Sequence, residues 1–362
     1  MKGKEQIVIL GGGNGALAFS AFLGLQGLAP RLWEFPEFRE GLSHLYRTQR
    51  IRSFGKLEGE VDVACYEDLR EALQGATLIM AVVPAFAHGR LAEEVAPHIS
   101  EDAVLILNPG RTGGALEVGA ILHRHGKHNP VVETQTLLFA CRKKGEDSIQ
   151  FNGIKDFIRV GVFPSNKTDG VMDRLNRILP RFRKVPDILT TSLGNIGAMF
   201  HPASALLNVG ILESGKPYDY YRATMTPGVA GIMEQADGER LKIAGAAGAE
   251  VFSACQWLHE SYRVEDSSLY QMLLRNSAYQ GIAGPSVIQT RYITEDVPTG
   301  LVPMEAFGSL LQIGTPTIST LIQLANLLLR EDFRKSGRNL DRLGLKGMTP
   351  EEVKELVREG FR

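Results

Sequence analysis

The chain has 362 residues, of which 44% are hydrophobic and 22% charged, and its formal net charge is -1. That balance excludes a largely disordered chain, and it leaves no global field to draw in phosphate backbones or anionic membranes, so neither nucleic acid nor membrane is expected as a partner. The length exceeds what one hydrophobic core organises, which predicts two domains.

The chain opens on "MKGKEQIVILGGG", whose apolar run IVIL is too short for a signal peptide and reads as a strand. The glycines lead into "NGALAFSAFLGLQG", which has helical periodicity. Strand, glycine turn and helix together give Gly11-x-Gly13-x-x-Ala16, the dinucleotide-binding fingerprint. Gly11 permits the tight turn, Gly13 lets backbone approach a pyrophosphate, and Ala16 keeps the helix close to the strand. Asn14 and Gly15 complete the turn, whose helix N–H groups would face the phosphates. The next strand, "PRLWE", ends in Glu34, 23 residues after Gly11. A carboxylate there can accept hydrogen bonds from both adenosine ribose hydroxyls, which predicts NAD(H) over NADP(H). The alternatives are a surface strand end for Glu34, and a 2′-phosphate taken by nearby Arg39.

Three more strand-then-helix units follow, in "VDVACYEDLREAL", "ATLIMAVVPAFAHGRLAEEVAPHI" and "DAVLILNPGRTGGALEVGAILHRHG". This alternation predicts a Rossmann-type, doubly wound parallel sheet, with ligands at the carboxyl ends of its strands. Pro84 and Asn108 lie at two of those ends, in turns expected to border the nicotinamide half of the cofactor. "HRHGKH", with His123, His125 and His128, does not share one helix face and has no completing carboxylate or cysteine cluster, so no metal site is expected. Cys65, Cys141 and Cys255 are odd in number and lack CxxC spacing, which argues against a disulfide framework and for a reducing cytoplasm.

From about residue 189 the strand pattern gives way to apolar segments at helical spacing, such as "GNIGAMFHPASALLNVGILESG" and "MEAFGSLLQIGTPTISTLIQLANLLL". "TLIMAVVPAFA" and "STLIQLANLLL" both fall short of the roughly 20 residues a membrane helix needs. The expected layout is a dinucleotide-binding domain over 1–187 and an all-α substrate domain over 188–362. "KVPDILTTS" would be the hinge, and the cleft between domains the default active site. Thr349, Pro350 and Glu352 form a capping box that opens a last helix. That helix could cover the cleft or a partner subunit in a homodimer.

His201, followed at once by proline, stands in a small, apolar stretch. It is either a satisfied buried imidazole or an acid/base, since an unperturbed imidazole titrates at about 6.5 and both gives and takes protons near neutrality. The segments "GGGNG", "ETQTLLFACR", "FHPASALLNVG", "YDYYRATMTPGVA" and "RYITEDVPTGLVP" bear on that choice. Through them the chain resembles the octopine/nopaline (opine) dehydrogenase family over nearly its full length. The HP motif joined to RYITEDVP about 90 residues later is the specific part.

The resemblance implies an enzyme that joins an α-keto acid, pyruvate for preference, to the amino group of an amino acid and reduces the imine with NAD(P)H. It implies that Asp296 pairs with His201, and that Glu133 and Thr134 lie in the stretch that contacts the amino acid. The rival for Glu133 is a surface carboxylate at a strand end. Arg291 has the bidentate fork suited to a substrate carboxylate, or else pairs with Glu295 or Asp296. Asn195 would orient substrate or imidazole, or cap a helix. Tyr220, Tyr221 and Arg222 would line the cleft or form a packing edge. The family often carries a second Asn two residues after Asn195, where this chain has Gly197. Two other functions remain open. One is a ketopantoate reductase-like or other hydroxy-acid dehydrogenase, which by resemblance would use a lysine that this chain lacks between Val185 and Pro202. The other is a non-enzymatic NAD-sensing protein.

Overall fold

The computed structural model describes residues 5–362. They form two compact units, the first running to Thr191 and including Glu355–Arg362, the second spanning Ser192–Lys354.

The first unit holds twelve strands. They are β1 (Ile7–Leu10), β2 (Arg31–Trp33), β3 (Arg50–Gly55), β4 (Gly59–Asp62), β5 (Ala64–Tyr66), β6 (Leu78–Ala81), β7 (Val104–Leu107), β8 (Val131–Thr134), β9 (Phe139–Gly145), β10 (Ser148–Ile154), β11 (Ile158–Phe163) and β12 (Phe182–Lys184). Eight of them make one sheet in the order β12-β11-β8-β7-β6-β1-β2-β5. β1, β6 and β7 are buried along their whole length, as continuous apolar strands covered on both faces must be, and β8 is equally buried although it ends in Glu133 and Thr134. The chain leaves β1 for β2 on one side and later returns to β6 on the other, so the order reverses between β1 and β6. The carboxyl ends of these two strands mark where such a sheet takes its ligand.

Two features differ from the wholly parallel sheet read from the sequence. β11 runs antiparallel to β8, adding a reversed edge. β3, β4, β9 and β10 build a second, four-stranded sheet in the order β4-β3-β10-β9. That sheet explains the Asn14–Leu25 helix, whose residues Ala16–Leu23 are all buried. A helix apolar all round needs cover on both sides. Phe139 meets Phe19 and Phe22 at ring distances of 4.8 and 5.3 Å, and Phe151 backs Phe139 at 5.3 Å. Each such buried ring is worth about 1.5–3 kcal/mol.

The capping box at Thr349 forms as expected: Thr349 N–H donates to Glu352 Oε2 at 2.7 Å, and Glu352 N–H donates to Thr349 Oγ1 at 3.3 Å. The chain's last residues belong to the first unit, where Phe361 stacks on His123 and meets Phe163 edge-on. His125 pairs with Glu93 at 2.7 Å. Among the described residues, no group of three or more His, Cys, Asp or Glu is placed to hold a metal ion, and no helix is long and apolar enough to cross a membrane.

The second unit is helical. Its centre is the Gly197–Leu206 helix, packed against the Pro227–Ala247, Arg291–Thr294 and Pro316–Leu329 helices and against a π turn at Val297–Leu301. Buried carboxylates fix the helix starts: Glu239 accepts from Thr317 and Ile318 N–H at 2.7 and 2.9 Å. Arg240, fully buried, pairs with Asp237 and donates to the Leu193 and Phe252 carbonyls, which pins the segment leading into the central helix.

Candidate active site

The glycine turn sits at the carboxyl end of β1. Gly11 has φ of +123°, and a Cβ there would lie 2.5 Å from the Val82 carbonyl oxygen, so no L side chain fits. Gly13 caps the Asn14–Leu25 helix without any side-chain hydrogen bond, and a Cβ on it would meet no atom within 4 Å. The first-turn N–H groups of that helix have no intrahelical acceptors, and the open space at Gly13 beside them fits a pyrophosphate. A Cβ on Gly15 would touch Val82 and Leu137, and Ala16 is buried. The Asn14 side chain is turned to the second sheet, where its Oδ1 accepts from Lys143 N–H at 2.8 Å.

Glu34, just past β2, is 8% exposed rather than at the surface. Its Oε1 accepts from Phe35 N–H at 2.8 Å, and Gly12 N–H supports the carboxylate too. Burial pushes its carboxyl above the ordinary range, with these N–H groups and the charge of Lys143 opposing. Arg39 spends its guanidinium on the backbone carbonyls of Glu34 and Glu67. Pro84 leads into the turn after β6. Asn108, after β7, is 2% exposed and donates to the Ile106 carbonyl, while its Oδ1 is buried without a hydrogen-bond partner among the described residues. An orphaned acceptor at a strand's carboxyl end fits a donor from a bound cofactor.

Glu133 and Thr134 end β8, both wholly buried. Glu133 is therefore no surface carboxylate. It accepts from Ala115 N–H at 3.1 Å, at the start of the Gly114–Arg124 helix, and from the Thr191 hydroxyl at 2.7 Å. Thr134 donates to the Leu107 carbonyl at 3.0 Å. Sequence reasoning missed Lys155, which donates to Thr136 Oγ1 and the Leu137 carbonyl and so braces the loop following β8.

In the second unit, His201 and Asp296 come together. His201 Nδ1 lies 2.8 Å from Asp296 Oδ2, with the carboxylate 2% and the imidazole 21% exposed. Pro202 has no N–H to give the Ala198 carbonyl one turn back, so the HP step loosens the helix where the imidazole projects. Asp296 stands at the entry to the π turn. Such turns are frequent where α-helices carry functional sites. Gly300 in the same turn faces Ala198: a Cβ on it would lie 2.6 Å from the alanine's, so the absence of a side chain sets how closely the two segments approach.

Arg291 pairs with Glu295: its Nε is 2.7 Å from Glu295 Oε2, and its Nη2 contacts the same oxygen. The arginine side chain is 62% exposed and the glutamate 4%. Asn195 is buried beside Gly300 and does not cap the following helix, whose N-cap is Ile196. Tyr220 is fully buried, and its hydroxyl donates to the His201 carbonyl at 3.2 Å. Sequence reasoning overlooked Tyr292, whose ring stacks on His201 at 4.4 Å. Its place next to Arg291 in RYITEDVP was the available signal.

The family model described as NAD/NADP octopine/nopaline dehydrogenase, alpha-helical domain, matches residues 184–329. The N-terminal model of NAD-dependent glycerol-3-phosphate dehydrogenase matches residues 6–109. An opine dehydrogenase from Arthrobacter sp. (strain 1C) is 37% identical, covering 96% of this chain and 98% of its own length. A solved octopine dehydrogenase in complex with NADH and agmatine aligns with TM-score 0.80 at 21% identity, over 97% of this chain and 98% of that one. A yersinopine dehydrogenase with NADP+ bound aligns with TM-score 0.79 at 16% identity, over 99% of both chains.

Proposed function

The chain belongs to the opine dehydrogenase family of NAD(P)-dependent oxidoreductases acting on CH–NH bonds, and we propose that it condenses pyruvate with an L-amino acid, with His201 as acid/base and Asp296 as its support. The observation that carries this reading is the 2.8 Å contact between His201 Nδ1 and a buried Asp296 carboxylate. That contact holds the proton on Nδ1, leaving Nε2 as the nitrogen that exchanges protons, and it stabilises the imidazolium when one forms.

His201 Nε2 first accepts a proton from the substrate ammonium, freeing the amine to attack the keto carbon. It then returns that proton to the carbinolamine hydroxyl, which leaves as water and gives the protonated imine. Bound NAD(P)H supplies the hydride that reduces the imine carbon. Glu295 takes the Nε–Nη2 edge of Arg291, and we assign the remaining edge of the guanidinium to a substrate carboxylate. Asn195, buried beside Gly300, orients the substrate. Glu133 is engaged with Ala115 N–H and the Thr191 hydroxyl and Thr134 with the Leu107 carbonyl, which favours shaping the amino-acid site over direct receipt of the ammonium.

NADH is the preferred reductant on this reading, because Glu34 can accept the ribose hydroxyls and would repel a 2′-phosphate, while Arg39 is held by two carbonyls. Measured NADH and NADPH affinities test this, and tighter NADPH binding overturns it. The three cysteines are free thiols, in keeping with a reducing cytoplasm.

The central test supplies pyruvate, a panel of L-amino acids and NADH. NADH oxidation should require both keto acid and amine, with the secondary amine identified by mass. Consumption with pyruvate alone would point to a hydroxy-acid dehydrogenase, and none with any pair to a sensor. His201→Asn should lower kcat by about 10²–10⁴-fold with NADH affinity retained; an undiminished rate overturns the proposed role.

A further inference from the structure

The hydrogen bond to Asp296 fixes one nitrogen of His201 but leaves the ring free to tilt about the Nδ1–Oδ2 line. A planar neighbour removes that freedom. Tyr292 lies against the imidazole with ring centroids 4.4 Å apart and planes 28° from parallel. Behind Tyr292 stands Tyr220, at 4.7 Å and 39°. Tyr220 is fully buried, is braced edge-on by Tyr221 at 5.1 Å, and donates its hydroxyl to the His201 carbonyl. Tyr221 in turn stacks on Tyr279 at 4.1 Å and 14°. The imidazole and the half-buried Tyr292 form the partly exposed end of an aromatic column whose further members, Tyr220, Tyr221 and Tyr279, are buried.

We propose that Tyr292 is a positioning residue for the reaction: its ring face, backed by Tyr220, holds the imidazole of His201 at the tilt from which Nε2 meets the substrate. The inference rests on reading His201 as the acid/base. Geometry carries it, because proton transfer needs the donor and acceptor within hydrogen-bond reach and aligned, and a small misplacement lowers the rate without weakening substrate binding. The electron-rich face of Tyr292 also attracts the imidazolium formed in each turnover.

The test compares Tyr292→Leu, Tyr292→Phe and His201→Asn in the full-length enzyme with NADH, pyruvate and the best amino acid. Tyr292→Leu should lower kcat on the order of 10–100-fold, leave the KM for NADH within about two-fold, and enlarge the solvent deuterium isotope effect as proton transfer becomes limiting. Tyr292→Phe keeps the planar face and should retain most of the rate. Should the leucine variant fail to fold by circular dichroism, Tyr292→Met fills the space without a planar face and is read in the same way. A kcat within about two-fold of the parent in the non-aromatic variant overturns the inference, and so does equal loss in the phenylalanine variant. His201→Asn separates the levels. If it is crippled while Tyr292→Leu is not, only the positioning role falls; if it turns over undiminished, the acid/base reading falls and takes this inference with it.

Discussion

The glycine turn after β1 and the His201–Asp296 pair are specified in opposite ways. The turn is contiguous: Gly11, Gly13 and Ala16 occupy one strand-to-helix junction, and at Gly11 backbone sterics alone demand glycine, as its +123° φ makes plain. The pair joins residues 95 apart, brought together by the close approach of Gly300 to Ala198 and by a π turn behind Asp296. Damage to the turn should therefore appear as lost cofactor affinity, and damage to the pair as lost turnover. That separation can be tested by substitution on each side.

After loss of the imidazole itself, the largest expected effect is that of Asp296→Asn. Its amide keeps the shape but not the charge, so the imidazolium loses its support and kcat should fall by about 10²–10³-fold with NADH affinity unchanged. If rate and affinity fell together, Asp296 would belong to the scaffold instead. On the other side, Gly11→Ala forces a side chain onto the Val82 carbonyl at a backbone angle alanine avoids. The strain should cost about 1–3 kcal/mol of stability, and NADH affinity should drop by roughly 10–100-fold. Isothermal titration and thermal melts read the two losses. Unchanged binding would remove the turn from the cofactor site.

The same contrast decides what the sequence discloses. The strand–glycine–helix junction, the apolar parallel strands and the capping box at Thr349 are local, so periodicity and residue type reveal them. The second sheet escaped because its pairing is remote: Arg52 registers with Ser148, and no single segment announces that partnership. The one sign of it was the helix "ALAFSAFL", apolar on every face and so requiring a second covering layer. His201 and Asp296 could be joined only through resemblance, for nothing local in either segment names the other. Where resemblance was silent, as for Tyr292 and Gly300, the chain had to be folded before its parts could be seen to meet. The division into units shows the same limit, since Phe361 returns to His123 across more than half the chain.

A smaller effect is expected at Gly300. Gly300→Ala would place a methyl 2.6 Å from that of Ala198, pushing apart the segments that carry Asp296 and His201. Overpacking of this kind costs about 1–3 kcal/mol, and kcat should fall by about ten-fold while NADH affinity holds. A loss of affinity equal to the loss of rate would break the separation drawn above.

The smallest effect, and the one with a pH signature, lies at Glu34. Burial raises its carboxyl above the ordinary range in the folded protein, so the sign of the linkage is set. Stability tied to this group is fully present below its unfolded-state pKa and is lost as pH rises through the elevated folded value. At neutral pH the apoprotein of Glu34→Gln should then be at least as stable as the parent, although it binds NADH about 3–10-fold more weakly for want of a charged acceptor. In the parent, acidification through the raised pKa protonates the carboxyl and should weaken NADH binding, whereas Glu34→Gln should show no such dependence. Fluorescence titration of NADH across mildly acidic to neutral pH measures both curves. Parallel curves would mean that Glu34 shapes the strand end without touching the ribose, and the argument for NADH over NADPH would lose its acceptor.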